Sequence, residues 1–307
     1  MKKAYICVII TALLFGTMEV SCKIGGGALD PFQLTFLRFL IGGIILLPFA
    51  VIQIRKKGVS LTGRDFINLT VVGLLGVTFS MSLFQLSVMM SNASTASVLI
   101  CVNPFFTMVF AHFLTKEKMN VHKFIILMTA MVGIVFMMRP WDIQEGNTMP
   151  GMCLMLASAL LFGLYTIAGK VMQEKIGMMA QTSISFLAGS FVLMIIMIAA
   201  GRPVVEGISE SIPIILYVGI LVTGVGYYCY FRAIELGGAT TGAFAFFLKP
   251  AIAPVIAVIV LHETILWNTV VGIGFVLTAT MLNIVYQRTQ INRKLAEERR
   301  QENVQKQ

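Results

Sequence analysis

The fold is decided by two similar stretches of sequence, residues 93–117, ASTASVLICVNPFFTMVFAHFLTKE, and residues 239–263, ATTGAFAFFLKPAIAPVIAVIVLHE. Each begins with small residues, carries a proline at the same place (Pro104 and Pro250) and ends on a glutamate (Glu117 and Glu263). Matching residues differ in number by 146 throughout. A constant offset over stretches of this length indicates that the chain contains a duplicated unit.

The duplication extends beyond these two stretches. Residues 14–16, LFG, recur at 161–163 with an offset of 147, and residues 72–73, VG, recur at 218–219 with an offset of 146. Each copy therefore covers close to half of the 307 residues.

The composition is typical of a membrane protein. Apolar residues make up 57% of the chain and charged residues only 12%, against roughly 45–50% and about 25% in a soluble domain. Apolar runs long enough to cross a bilayer as helices lie between charged, proline and glycine positions. They are 5–24, 32–53, 66–89, 93–114, 123–138, 151–171, 180–200, 212–234, 239–261 and 266–286.

These runs predict an all-α integral membrane protein with ten transmembrane helices. Five helices in each copy are an odd number of crossings, so the second copy is upside down relative to the first, giving two inverted five-helix repeats. We expect the first repeat at 1–138, an external connector at 139–150 and the second repeat at 151–286. The charged tail, 287–307, is expected to be a cytoplasmic helix or a disordered end.

The basic residues predict the orientation. With an internal N-terminus, 18 of the 23 Lys and Arg residues lie on the cytoplasmic side, three lie outside, and Arg38 and Lys249 lie within spans. Because positive residues favour cytoplasmic loops, we expect a multi-pass protein of the cytoplasmic (inner) cell membrane with both termini in the cytoplasm. The same distribution accounts for the net charge of +9 without a nucleic-acid partner.

Signatures of enzymes, metals and cofactors are incomplete. Residues 163–170 approach a phosphate-binding loop, but the spacer is too long and Val171 stands where Ser or Thr is required. His262-Glu263 begins like a zinc-protease helix, but Leu266 replaces the second histidine. Five cysteines without Cys-x-x-Cys spacing indicate neither disulfides nor a metal. We expect no catalytic residues, no metal and no cofactor.

The chain resembles the drug/metabolite transporter superfamily, and specifically its EamA-type transporters with ten helices and two repeats. The features that carry the resemblance are LFGT at 14–17, DP at 30–31, LRF at 37–39, NP at 103–104, KP at 249–250 and the glutamates Glu117 and Glu263. The family usually has Trp where Phe15 stands. The resemblance covers residues 4–286 and implies export or exchange of small metabolites, often amino acids.

Lys249 is the main candidate for a binding residue. It lies close to the middle of its span, where an ammonium is costly unless it is paired or hydrated. It either faces a central cavity and binds a substrate carboxylate, or forms a structural ion pair with a carboxylate such as Glu19. Asn103, its equivalent in the first repeat, is a further candidate contact, and Arg38 binds substrate or extends outward to the interface.

Weaker candidates complete the predicted site. Tyr165 and Tyr227 are expected to line the cavity, and Glu19 either carries a coupling proton or pairs with Lys23. The helix-kink candidates are Pro104, Pro250 and Pro254, each of which removes a helical hydrogen bond. Glu117 and Glu263 are expected at solvated helix boundaries.

The resulting prediction is a carrier that works by alternating access around Asn103, Lys249 and Arg38. Its partners are the lipid bilayer and a small-molecule substrate, and a homodimer is left open. The alternatives are a facilitator or sugar-conjugate exchanger within transport, and a non-transporting membrane scaffold or receptor outside it.

Overall fold

The computed structural model describes residues 2–114, 120–139, 141–237 and 239–305, and these residues form helices and no strand. Ten described helical stretches are long and apolar enough to cross a membrane. We number them spans 1 to 10 in chain order: Lys2–Ala28, Pro31–Lys57, Gly63–Met90, Ala93–Leu114, Val121–Met138, Met149–Ile176, Met178–Ala199, Ile208–Gly237, Phe244–Leu261 and Trp267–Gln290. The predicted all-α membrane architecture is therefore confirmed.

Several spans consist of more than one helix. The α-helices are α1 Lys2–Gly16, α2 Met18–Ala28, α3 Pro31–Lys57, α4 Gly63–Gly73, α5 Ser82–Met90, α6 Ala93–Ile100, α7 Asn103–Leu114, α8 Val121–Met138, α9 Met149–Ile176, α10 Met178–Ala199, α11 Ile208–Leu216, α12 Gly226–Gly237, α13 Ala239–Leu261 and α14 Trp267–Gln305. Two π-helical segments, Leu74–Met81 and Tyr217–Val225, join α4 to α5 and α11 to α12.

Spans 1 and 4 are interrupted where the sequence predicted single helices. At Thr17 the side-chain hydroxyl donates to the Leu14 carbonyl at 2.8 Å, a local bond that competes with helical geometry. Span 4 leaves the helix at residues 101–102 and restarts with Asn103 and Pro104. Proline is favoured in the first helical turn because its missing N–H needs no partner there. By contrast, α13 continues through Pro250 and Pro254.

Spans 3 and 8 contain the two π-helical segments, which the sequence analysis missed. Shifted by 146, Leu74–Met81 corresponds to 220–227, so it overlaps Tyr217–Val225. The side chain of Thr223 spans the same five-residue separation as the backbone bonds of a π-helix, since its hydroxyl donates to the Val218 carbonyl at 2.7 Å. Segments of this kind are rare and frequently occur near functional sites.

The contacts between spans keep the same pattern when the two halves are exchanged. Span 1 packs against spans 8 and 9, and its equivalent, span 6, packs against spans 3 and 4. Span 2 packs against span 8, as span 7 does against span 3. Even single hydrogen bonds recur: the Thr11 hydroxyl donates to the Gly226 carbonyl, and the equivalent Ser158 hydroxyl donates to the Ser80 carbonyl. The duplicated sequence therefore builds two halves that pack alike.

Ion pairs between helix ends agree with the alternation of ten spans. Asp65, at the start of span 3, pairs with Lys175, at the end of span 6, at 2.6 Å. Asp30, between spans 1 and 2, pairs with Arg202, between spans 7 and 8, at 2.8 Å. If successive spans alternate in direction, the two helix ends that each pair joins lie on the same side of the membrane.

The boundaries of the predicted segments, 1–138, 139–150 and 151–286, stay predictions. Of the two alternatives for the tail, the structure has the helix, because α14 extends to Gln305. Glu117 lies outside the described residues.

Close backbone packing between spans 3 and 7 gives a stability prediction. A Cβ atom built on Gly189 would lie 2.5 Å from the Gly73 carbonyl oxygen, whereas one built on Gly274 would meet nothing within 4 Å. We expect Gly189→Ala to destabilise the protein by about 1–3 kcal/mol through overpacking. The measurement is the thermal unfolding midpoint in detergent. The control Gly274→Ala should match or slightly exceed the wild type; equal midpoints for both variants would contradict the prediction.

Candidate functional site

The centre of the site is a buried ion pair between spans 1 and 9. The Lys249 ammonium donates to Oε1 of Glu19 at 2.6 Å, and the side chains are 5% and 0% exposed. The other carboxylate oxygen of Glu19 has no hydrogen-bond partner among the described residues. The ammonium has three donors, so the pair retains unused donor and acceptor capacity at its edges.

A cavity adjoins this pair where the two halves meet. Its lining residues are Phe15, Met18, Met81, Phe84, Ile100, Asn103, Phe162, Tyr227, Phe246 and Lys249. Eight of them form four equivalent pairs of the sequence repeat: Phe15 with Phe162, Met81 with Tyr227, Ile100 with Phe246, and Asn103 with Lys249. Matching positions of the two halves therefore face one shared space. In transporters built from repeats, substrate sites lie at this interface between the repeats.

The cavity is too small for a metabolite in this conformation. Its volume is about 30 Å³, which suffices for very few water molecules and is far below the roughly 300 Å³ of a small-molecule pocket. Aromatic rings fill the space around it, with the ring centroids of Phe15 and Tyr227 5.1 Å apart and those of Phe15 and Phe246 5.7 Å apart. Entry of a metabolite requires these side chains, or the halves that carry them, to move apart.

The structure brings together three of the five predicted substrate-binding residues. Lys249, Asn103 and Tyr227 line the cavity, but Tyr165 does not. Tyr165 instead packs on Gly76 and lies within 3.5 Å of the Gln181 side-chain amide. The prediction that Tyr165 lines the cavity is therefore corrected, because its side chain fills the close contact between span 6 and the π-helical segment of span 3.

Arg38 is buried behind the cavity wall. It is 1% exposed, so it does not extend outward to the interface. Its guanidinium carbon lies 4.4 Å from the ring centroid of Phe39 and 5.3 Å from that of Phe84, and Nη2 lies 3.6 Å from the Met81 sulfur. Arg38 forms no ion pair with a described carboxylate, and its Nε has no described hydrogen-bond partner. Met81 and Phe84 separate it from the cavity.

Of the two partners that the sequence offered for Glu19, Lys23 and Lys249, the structure has Lys249. Lys23 instead reaches Glu263 at 3.3 Å and donates to the Ser91 carbonyl at 2.8 Å. The reason is geometric: Glu19 points into the bundle towards Lys249, while Lys23, one turn later, reaches the edge where spans 1, 4 and 9 meet.

Glu263 is not a solvated boundary residue, and this prediction was wrong. Its side chain is only 7% exposed and accepts from the backbone N–H groups of Ala93 and Ser94 at 2.6 and 3.0 Å. The Ser94 hydroxyl adds a third bond at 2.8 Å. The carboxylate thus caps the N-terminus of α6, where free N–H groups and the helix dipole favour a negative charge.

The connector closes the same edge of the bundle. Asn147 accepts from the Asn92 N–H at 2.9 Å, and Asn92 donates to the Glu145 carbonyl at 2.9 Å. Thr148 donates to the Met90 carbonyl. Together these bonds tie the turn between spans 3 and 4 to the loop that joins the two halves.

Sequence reasoning missed the apolar residues of the cavity. Phe15, Phe162 and Phe246 lie in apolar runs, where nothing distinguishes a cavity residue from one that faces lipid. A signal was nevertheless present, because each lining position has a repeat equivalent that also lines the cavity or lies one side chain away. Projecting the offset from Asn103 and Lys249 onto neighbouring helical turns would have found Ile100 and Phe246.

The capping of α6 gives a second stability prediction. Glu263→Ala removes two backbone caps and the Lys23 ion pair, so we expect a loss of about 1–3 kcal/mol of unfolding free energy. The unfolding midpoint in detergent reports the change. Glu174→Ala, at an exposed position near the end of α9, serves as the control and should be neutral. A neutral Glu263→Ala would show that the contacts contribute nothing.

Known proteins resemble this chain over nearly its whole length. The EamA-like transporter family model matches the chain twice, at residues 2–139 and 149–285. An uncharacterized transporter of Clostridium kluyveri is 40% identical over 290 residues, which cover 92% of this chain and 93% of the relative. The S-adenosylmethionine uptake transporter of Rickettsia prowazekii is 23% identical, with 94% and 95% covered.

A solved crystal structure shares the fold with a TM-score of 0.64 and 16% identity, covering 94% of this chain and 99% of the solved one. With two family matches that cover most of the chain, and ten candidate spans among the described residues, this protein belongs to the EamA-like transporter family.

Proposed function

We propose that this chain is a secondary transporter that exports or exchanges small metabolites such as amino acids, by alternating access around Asn103, Lys249 and Arg38. The observation that carries the proposal is the cavity between the two halves, lined by four repeat-equivalent pairs and by a buried ammonium. Halves that pack alike can rock about such a shared space and open it to either side in turn.

Lys249 is the group that binds the substrate in this proposal. An ammonium within the membrane-spanning bundle is costly to bury and marks a functional position by default. Donors that Glu19 leaves unused are available to a substrate carboxylate. The aromatic and methionine side chains around it, among them Phe84 and Met18, would accommodate the apolar part of a small molecule.

Arg38 contributes a second positive charge next to the cavity. The Glu19–Lys249 pair is neutral as a unit, so among the described side chains around the cavity Arg38 supplies one excess positive charge. That charge favours an approaching carboxylate and disfavours small cations. Displacement of Met81 or Phe84 would bring the guanidinium to the cavity.

In this proposal, transport is driven by an ion gradient or by exchange. The name of the Rickettsia relative describes uptake of S-adenosylmethionine, which supports a small-molecule substrate while leaving the direction of flux in the present chain to measurement. A facilitator or sugar-conjugate exchanger and a non-transporting scaffold or receptor are the competing functions. Saturable flux separates a carrier from a scaffold.

Transport in proteoliposomes tests the proposal. Wild-type protein should give saturable uptake and efflux for at least one member of a labelled panel of amino acids and metabolites, with and without a pH gradient. We expect Lys249→Ala to lower that flux by at least about tenfold, since a hydrogen bond to a charged group is lost.

Lys56→Ala, an exposed basic side chain at the end of span 2, is the matched control and should transport like the wild type. Equal flux in Lys249→Ala would remove Lys249 from the mechanism and keep the transporter. No flux of any panel member under any gradient would favour the scaffold.

The proposed location is the cytoplasmic membrane with both termini inside. A C-terminal fusion to green fluorescent protein should fluoresce in bacterial cells, and a C-terminal alkaline phosphatase fusion should be inactive, because the first reporter folds only inside and the second only outside. The opposite result would invert the proposed orientation.

A further inference from the structure

The cavity is lined by a positive group, Lys249, whose counterion belongs to the protein itself. Lys249 lines the cavity, and Glu19 is the described carboxylate that contacts it, at 2.6 Å. Glu19 itself is 0% exposed and lies in span 1, whereas Lys249 lies in span 9, 230 residues away. A cavity of about 30 Å³ excludes metabolites, so in this conformation the counter-charge of the ammonium comes from the protein.

In alternating access, this ion pair affects whether the carrier can complete its cycle without substrate. For net transport the carrier must pass through its closed form twice per cycle, once with substrate and once without, whereas exchange requires only the loaded passage. An ammonium enclosed in an apolar bundle without a counter-charge is strongly unfavourable. A substrate carboxylate can neutralise Lys249 in the loaded passage, but the unloaded passage needs another anion.

We propose that Glu19 is the internal counterion of Lys249 that permits the unloaded carrier to close, so that this chain carries out net transport and not obligatory exchange. This inference rests on the proposed function, in which Lys249 binds a substrate carboxylate. It assigns Glu19 a positioning role: the residue sets the transport mode through Lys249 and does not itself bind the substrate.

The repeat supports a specific role for this pair. In the other half the positions equivalent to Lys249 and Glu19 are Asn103 and Thr166, which are uncharged and need no counterion. The Thr166 hydroxyl bonds within its own helix, to the Phe162 carbonyl at 2.8 Å. The scaffold therefore packs without an ion pair at this place, and the charges of Glu19 and Lys249 are an addition to one half only.

Neighbouring charges do not replace Glu19. Arg38 is positive and adds to the need for a counter-charge. Glu263, at the edge of the bundle, is engaged by Lys23 and by the N-terminus of α6. Removing the Glu19 carboxylate therefore leaves Lys249 dependent on a carboxylate brought by the substrate.

The test compares two fluxes in the same proteoliposomes, loaded with a radiolabelled mixture of L-amino acids. Net efflux is measured into amino-acid-free buffer, and exchange is measured with the unlabelled mixture outside. For Glu19→Gln we expect net efflux to fall about tenfold or more, because the unloaded closed form contains an unpaired ammonium. Exchange should remain within roughly twofold of the wild type, since the substrate neutralises Lys249 in both directions.

A double variant identifies the cause. Glu19→Gln with Lys249→Gln removes both charges, so both fluxes decrease through weaker carboxylate binding, but the ratio of net efflux to exchange should return to the wild-type value. Glu174→Gln, at an exposed position, is the control and should leave both fluxes unchanged.

Two outcomes would overturn the inference. Wild-type net efflux in Glu19→Gln would show that no internal counterion is needed, and an equal loss of both fluxes would show that Glu19 serves folding or binding. In both cases the proposed function stands. Absence of amino-acid flux in the wild-type protein would instead refute the amino-acid substrate of the proposed function, and the inference with it.

A measurement without reconstitution gives an independent check. The L-amino-acid mixture should raise the thermal unfolding midpoint of Glu19→Gln in detergent more than that of the wild type, because its carboxylates supply the missing counter-charge. An equal or smaller increase in the variant would contradict the proposed role of Glu19.

Discussion

Hydrocarbon offers no hydrogen bonds, and the structure of this protein follows from that constraint. Every backbone N–H and C=O group within the ten spans must be satisfied inside the protein, so the described chain is helical. Departures from regular helix occur where other spans cover them. Thr17 in span 1 lies against the Tyr217 hydroxyl, 2.7 Å away, and residues 101–102 in span 4 are buried. The π-helical segments lie in spans 3 and 8, both of which line the cavity.

The same constraint governs the charges. Lys249 and Glu19 neutralise each other at 2.6 Å. Glu263 is used twice, as counterion of Lys23 and as cap of α6. Arg38 is the exception, stabilised by the faces of aromatic rings and not by a described carboxylate. A cation over an aromatic ring is favoured when desolvated, so the guanidinium can be buried while its charge remains uncompensated.

Symmetry and asymmetry have separate roles in this molecule. Packing repeats between the halves to the level of single contacts: Gly16 faces Ile252, and the equivalent Gly163 faces Phe106. In the carrier that we propose, this symmetry favours two alternative arrangements of the halves with similar energy. The charges break the symmetry, because only one half has the ion pair. The charged site therefore differs between the halves while their packing remains alike.

Features of this protein that depend on residues close together in the sequence could be predicted, whereas features that depend on contacts between distant residues could not. The sequence predicts the number of spans and their helical structure, because bilayer thickness sets the length of apolar runs. It also shows the repeat, because duplication leaves a constant offset between matching residues. Lys249 was identified because a charged residue in the middle of a membrane span is costly, and Asn103 was identified as its equivalent in the other repeat. Both follow from local chemistry.

Only the tertiary structure decided which charges meet. The sequence offered two partners for Glu19, Lys23 one turn away and Lys249 in a distant span, and helix packing selected Lys249 from a position 230 residues away. Packing likewise turned Tyr165 away from the cavity, buried Arg38 behind Phe84 and placed Glu263 at a helix N-terminus. Apolar periodicity tells which residues avoid water but not which of them face lipid, a neighbouring helix or a cavity, because in a bilayer all three surroundings are apolar.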